Sequence, residues 1–307
     1  MKTEDTRLLS GALGKEAAGG VIKNICRTFG CAADEPEGFS LLEIGMTNRS
    51  FVFSLRGAQY VYRHPSPDPE NPIGRVCEKR SLEIARELGL NPVFLAAGGE
   101  SGWVISRYIP DFREPDYGSF TDTQRVLEAL RKLHAAPVRT DYGLRPWEDG
   151  RKLEEQIRRT APDALLPWAG LREKIRRLYA QTLGDGVEKC FCHGDTYKPN
   201  WLLRENGETF LIDWEYAGTA DPGIDVGYYI VDAMYGFDEA ERLIRAYLGG
   251  SCDDTRMFHF LAYTALIAWY WFCWALLREV RGIPNGDALA RWREMAVRYA
   301  AYLLPDE

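Results

Sequence analysis

The stretch FCHGDTYKPNWLLRENGETFLIDWEYAG, residues 191–218, sets three acid-or-amide side chains at fixed spacing: Asp195, Asn200 and Asp213. Two short apolar runs, WLL and TFLI, flank the dipeptide Asn206-Gly207. Asn-Gly between apolar runs is a strong signal for a two-residue hairpin turn. Pairing outward from that turn sets Trp201 against Ile212 and Asn200 against Asp213, with Glu205 facing Glu208 as an unfavourable pair. A longer loop with the same centre still brings Asn200 and Asp213 together. One carboxylate and one amide at the open end of a hairpin are the oxygen donors that Mg²⁺ typically takes from a protein, beside water and phosphate. Asp195 lies on the loop entering the hairpin, next to His193 and Gly194. A carboxylate there can orient an acceptor hydroxyl and take its proton as it attacks a phosphorus atom.

The elements that must position these residues change character once along the chain. A helical leader spans about Leu8 to Arg27. Strand patterns follow in LLEI, SFVFSL and QYVYRH, then a helix in GRVCEKRSLEIARELGL, then strands in NPVFLAA and SGWVISRYI. From Pro110 onward helices dominate. TDTQRVLEALRKLHAAP reads as a capped helix that stops before Pro137, and further helices are predicted over 153–160, 171–183, 238–248, 256–280 and 287–303. The expected organisation is α+β: a small antiparallel β-rich lobe over 1–109, a connector at SRYIP, and a larger, mostly helical lobe over 110–307.

Composition narrows the function classes. The 307 residues are 46% hydrophobic and 27% charged, as in soluble globular proteins, and the net charge of −7 argues against a nucleic-acid binder. Seven scattered cysteines without a C-x-x-C suit reduced thiols in the cytoplasm better than a disulfide framework or a zinc site. The segment MKTEDTRLLSGALGKEAAGG has no apolar core of a secretory signal. FLAYTALIAWYWFCWALL, residues 260–277, is uncharged and reaches spanning length. Its tryptophans lie mid-segment and towards one end rather than as flanking belts, so a buried helix is expected and no membrane insertion.

HGDTYKPN followed by LIDWE resembles the catalytic and metal-binding motifs of the kinase-like small-molecule phosphotransferases, a group that includes aminoglycoside phosphotransferases and choline/ethanolamine kinases. The resemblance implies a protein-kinase-like two-lobed fold, ATP as co-substrate and Mg²⁺ as cofactor. It implies Asp195 as catalytic base beside His193, Asn200 and Asp213 as Mg²⁺ ligands, and Asp221 and Asp225 as braces of the catalytic loop. EIGMTNR resembles the phosphate-covering loop of choline kinases, which assigns Gly45, Thr47 and Asn48 to the nucleotide. Arg63 stands where protein kinases carry a third-strand lysine and choline kinases an arginine, with Glu78 on the next helix as its partner. Arg107, Tyr108 and Ile109 of the connector would offer backbone groups to adenine. Lys198 falls one residue after the loop lysine of protein kinases.

For the acceptor, Trp271 and Trp274 lie three residues apart on one helical face with Tyr270 close by, and an aromatic stripe of this kind serves as core or as ligand wall. The pair resembles the W-x-x-W of choline kinases, part of a cage for a trimethylammonium group, and Glu215 matches the carboxylate that faces the ligand's charge. A quaternary ammonium offers no N–H, so ring faces and a nearby negative charge must recognise it. Tyr197 replaces a polar residue that contacts choline in some members and adds a cage wall or marks a different amine. The resulting expectation is γ-phosphate transfer to a small amino alcohol, choline foremost. Ethanolamine, thiamine and aminoglycosides remain open, as does a catalytically silent nucleotide-binding scaffold.

Overall fold

The strand patterns of the first third assemble into one antiparallel sheet in the computed structural model, which describes residues 3–42, 48–66, 73–250 and 252–305. Strands β1 (Glu37–Leu42), β2 (Arg49–Leu55), β3 (Ala58–His64), β4 (Phe94–Ala97) and β5 (Val104–Arg107) lie in the order β1-β2-β3-β5-β4. The β2–β3 hairpin closes through Arg56 and Gly57, both at positive φ (51° and 78°), as a two-residue turn matched to strand twist requires. Phe51, Phe53, Leu55, Tyr62 and Ile105 bury one sheet face against Val21, Ile22 and Ile25. Those three residues come from α2 (Lys15–Phe29), which follows α1 (Thr3–Leu13). The single leader helix expected from sequence is thus two helices, parted at Gly14 with φ of 85°. Helix α3 (Arg75–Glu87) buries Leu82, Ile84 and Ala85. This sheet and its helices belong to one unit, residues up to Arg113 together with Arg204–Phe210.

The other unit, Glu114–Leu203 and Leu211 onward, is mainly helical. Its helices are α4 (Phe120–His134), α5 (Pro146–Thr160), α6 (Ala169–Thr182), α7 (Gly223–Asp232), α8 (Phe237–Tyr247), α9 (Asp254–Val280) and α10 (Ala288–Leu303). Short strands β6 (Cys190–Cys192) and β9 (Gly218–Ala220) pair antiparallel, and β7 (Trp201–Leu203) pairs with β8 (Thr209–Leu211). Ser119 caps α4 by accepting the Asp122 N–H. Helix α5 starts at Pro146, earlier than its apolar pattern suggested, because proline suits a first helical turn whose N–H groups need no partner in the helix. Helix α7 was not expected: every residue in it is buried, so no polar face marks its period.

Helix α9 is the apolar segment that reaches membrane-span length, and 94% of that window is buried inside the protein. It forms the centre of its unit, packed by α5, α6, α7 and α10. Helix α7 approaches it through glycine. A Cβ on Gly227 would stand 3.0 Å from the Thr264 nitrogen, and one on Gly223 would stand 2.6 Å from Tyr263 Cγ. Gly227→Ala should therefore lower the unfolding free energy by about 1–3 kcal/mol, the usual range for overpacking. Urea denaturation checks this against Gly170→Ala, where an added methyl meets open space and no loss is expected.

Candidate active site

The hairpin carrying Asn200 and Asp213 forms in a different register from the one the Asn-Gly dipeptide suggested. Arg204 N–H donates to Glu208 O (2.9 Å) and Ile212 N–H to Asn200 O (3.0 Å), so Arg204 faces Glu208 and Asn200 faces Ile212. Gly207, at φ of 92°, donates to Arg204 O (3.1 Å), which makes Glu205, Asn206 and Gly207 a three-residue loop. The shift replaces the opposed Glu205/Glu208 pair with an Arg204–Glu208 ion pair of 2.8 Å. Asp213 then falls just past the ladder with φ of 64°, a left-handed conformation that Asp tolerates better than most residues. Buried Trp214, whose indole N–H donates to Leu211 O (2.8 Å), separates half-buried Asp213 and Glu215.

Asp195 is buried, and Asn200 Nδ2 donates both to its backbone carbonyl (2.8 Å) and to its carboxylate (3.0 Å). Burial, and then the nearby charges of Asp213 and Glu215, push its carboxyl well above the ordinary carboxylate range; the Asn200 hydrogen bond partly offsets them. Asn200 spends its amide nitrogen on Asp195, which leaves its oxygen for other partners. That oxygen and the Asp213 carboxylate suit a hard divalent cation, whose charge would offset the crowding of three carboxylates. The donor set therefore fits Mg²⁺.

The loop from His193 to Lys198 is held mostly from α7. Asp225 accepts the backbone N–H groups of His193 (2.8 Å) and Gly194 (2.7 Å), and its own carbonyl accepts the Thr196 hydroxyl (2.7 Å). Its carboxylate also meets His134 Nε2 at 2.9 Å. Burial alone would raise the Asp225 carboxyl, but these partners hold it below the ordinary range. Three residues on, Tyr228 stacks on Tyr197, and at the end of the helix Asp232 accepts the Lys198 N–H (2.8 Å) and the Tyr117 hydroxyl. Lys198 Nζ lies over the Tyr117 ring and 4.0 Å from Glu114. His193 donates from Nε2 to Ile212 O (2.9 Å) and accepts the Asp195 N–H at Nδ1 (3.2 Å), so both ring nitrogens are spent on backbone groups.

Asp221 accepts the Gly223 N–H (2.8 Å) and His259 Nε2 (2.8 Å), while His259 Nδ1 meets Asp185 at 2.6 Å. Only the doubly protonated ring donates to both carboxylates at once. Burial pulls His259 down, but the two carboxylates outweigh it and leave its pKa raised.

The acceptor candidates form an aromatic ladder. Tyr228 stacks on Trp271 at 5.1 Å, Tyr216 and Tyr270 meet Trp271 edge-on at 5.1 Å each, and Trp271 meets Trp274 at 5.6 Å. Trp292 of α10 closes on both tryptophans. The Arg278 guanidinium lies 4.7 Å over the Trp274 ring, so that face already carries an internal cation. Among the described residues, the buried indole N–H groups of Trp271 and Trp274 have no hydrogen-bond partner.

Of the nucleotide candidates, Arg63 on β3 forms an ion pair with buried Glu78 on α3. Asn48 Oδ1 accepts the Ser66 N–H (3.1 Å), and its buried Nδ2 has no partner among the described residues. Arg107 and Tyr108 donate their N–H groups to Val93 O (2.8 Å) and Gln59 O (3.0 Å), inside the same unit, and Ile109 is buried. Gly45 and Thr47 lie outside the described residues. Sequence reasoning missed His134, Tyr228, Asp232, His259 and Trp292. Lone histidines and an aspartate at a helix end carry no local signal, since their hydrogen-bond partners lie 34 to 115 residues away.

Residues 38–262 match the model of the phosphotransferase enzyme family. Protein LicA of Haemophilus influenzae is 23% identical over 258 residues, covering 79% of this chain and 74% of LicA. The crystal structure of choline kinase LicA from Streptococcus pneumoniae is similar with a TM-score of 0.78 at 23% identity, covering 94% of this chain and 99% of the other. LicA in complex with AMP gives 0.76 at 24% identity, with 92% and 98% covered. The sheet and helices described above are a kinase-like α+β fold.

The Asp185–His259–Asp221 contact makes stability depend on pH. Because the folded-state pKa of His259 is raised, its contribution is fully present below the unfolded value of about 6.5 and is lost as pH rises through the folded-state pKa. The difference in unfolding free energy between wild type and His259→Gln should be constant in mild acid and shrink above about pH 6.5. Urea titrations across that range test it; a difference that grows with pH would contradict the sign.

Proposed function

This chain belongs to the phosphotransferase enzyme family, and from that premise we propose that it transfers the γ-phosphate of ATP to the hydroxyl of a small amino alcohol, most readily choline, giving phosphocholine. The observation that carries this reading is the setting of Asp195: a buried carboxylate fixed by Asn200, beside Asp213 and Glu215, on a loop whose Tyr197 joins the Tyr228–Trp271 stack. In this reading Asp195 orients the acceptor hydroxyl and receives its proton as the oxygen attacks phosphorus. Asn200 and Asp213 would hold Mg²⁺, which when bound would neutralise charge on the phosphates. His193, Asp225 and His134 keep the loop in shape and touch no reacting atom.

The first unit supplies the nucleotide-binding residues. Arg63, held by Glu78, offers a permanently charged donor fork to phosphate oxygens, and Asn48 offers a buried amide donor. The AMP bound to the similar LicA supports a nucleotide as the first substrate. Glu215 and the Tyr197 ring, backed by the Tyr228–Trp271 stack, recognise the acceptor's cation, an arrangement suited to a quaternary ammonium rather than to a polycationic sugar. Trp274, already covered by Arg278, supports Trp271 from behind. Free cysteines and dependence on ATP fit a cytoplasmic enzyme.

ADP release from Mg²⁺-ATP, measured with choline, ethanolamine, thiamine and kanamycin as acceptors, tests the assignment. The largest kcat/KM should be with choline; a clear preference for kanamycin would overturn the aromatic recognition. Glu215→Gln should raise the KM for choline about tenfold, a loss of about 1.4 kcal/mol, with the KM for ATP unchanged. Equal increases for both substrates would remove Glu215 from the acceptor site.

A further inference from the structure

Beneath the catalytic loop, and apart from the Mg²⁺ ligands, two thiols and an imidazole converge. Cys190 and Cys192 are alternate residues of β6, so their side chains leave the strand on the same face. Their sulfurs lie 3.6 Å apart. A ring nitrogen of His134, from the last turn of α4, lies within 4.8 Å of both. All three side chains are buried.

We propose that His134, Cys190 and Cys192 form a binding site for a thiophilic divalent cation of the zinc class. Tetrahedral geometry with metal–sulfur bonds of about 2.3 Å requires sulfurs about 3.8 Å apart, close to the separation already present. The histidine is prepared in the way metal-ligating histidines generally are, with one ring nitrogen on a carboxylate: Nε2 faces Asp225. With the proton on Nε2, the Nδ1 lone pair is the ligating atom. It now meets the Tyr247 hydroxyl at 2.7 Å, and the cation would take that hydroxyl's place. Binding releases two thiol protons to solvent, and two thiolates balance the dication.

Two thiolates and an imidazole select a soft or borderline ion and disfavour Mg²⁺, whereas Asn200 and Asp213 do the reverse. The absence of a C-x-x-C, which argued against zinc in the sequence, does not bear on this site: its pair is C-x-C, and its histidine lies 56 residues earlier (190 − 134). Because β6 runs directly into His193, the cation would tie the strand beneath the catalytic loop to the end of α4 without displacing the Asp225 contacts that shape the loop.

Full-length protein produced in zinc-supplemented cells and desalted should retain one equivalent of zinc by elemental analysis. Its melting temperature should fall when a strong chelator removes the metal. Co²⁺ exchanged into the native protein should give the intense visible bands of a tetrahedral site with thiolate ligands, a readout that needs no variant. Cys190→Ala and Cys192→Ala should each abolish retention, while a Cys26→Ala/Cys31→Ala variant should retain the metal as wild type does. Metal-free native protein with no thiolate–cobalt spectrum, or equal retention in the β6 variants, would overturn the proposal.

Discussion

Between His193 and Tyr197 the chain has no regular hydrogen-bond ladder of its own, so the position of Asp195 depends on groups that reach in from elsewhere. The decisive one is the buried carboxylate of Asp225, which gathers two consecutive loop N–H groups and the His134 ring. A buried carboxylate persists as an anion only if several donors compensate its lost hydration. This one also lies in the first turn of α7, where the helix dipole favours negative charge. Loop and carboxylate are thus mutually dependent: the charge needs the loop's donors, and the loop takes its shape from the charge.

The same logic runs along one face of α7. Asp225, Tyr228 and Asp232 are spaced three and four residues apart, so they share a helical face. They hold in turn the start, the middle and the end of the loop. Gly223 and Gly227 let the opposite side lie against α9, which itself contributes Trp271 to the aromatic ladder and His259 to Asp221. One fully buried helix therefore sets the loop carrying Asp195 and its aromatic neighbours against a single core. This explains why α7 has no exposed face: both sides are occupied.

The chemistry-bearing residues were more legible in the sequence than the structure that supports them. Asp195, Asn200 and Asp213 stood out because hard oxygens clustered about a hairpin signal; the structure sets Asn200 against Asp195 and the Asp213 charge near that carboxylate. The hairpin register did not follow from the same signal, because Asn-Gly serves both two-residue and three-residue loops. The choice fell to a cross-strand charge pair, Arg204 with Glu208. Strands β1, β2 and β3 were readable from their aromatic and β-branched residues and the glycines at their breaks. Helix α7 was unreadable because every residue in it is buried and no exposed face marks its period. His134 and His259 act only through partners brought close by the fold, and no local pattern announces such contacts.

The proposed transfer requires Asp195 as the base at a site that holds nucleotide independently of it. The direct measurement is steady-state turnover with choline alongside equilibrium binding of ATP for Asp195→Asn, a substitution that keeps the shape of the side chain and removes its proton-accepting charge. A fall in kcat of about 10²–10⁴-fold is expected, with ATP affinity close to that of wild type. Near-normal turnover in that variant would contradict it.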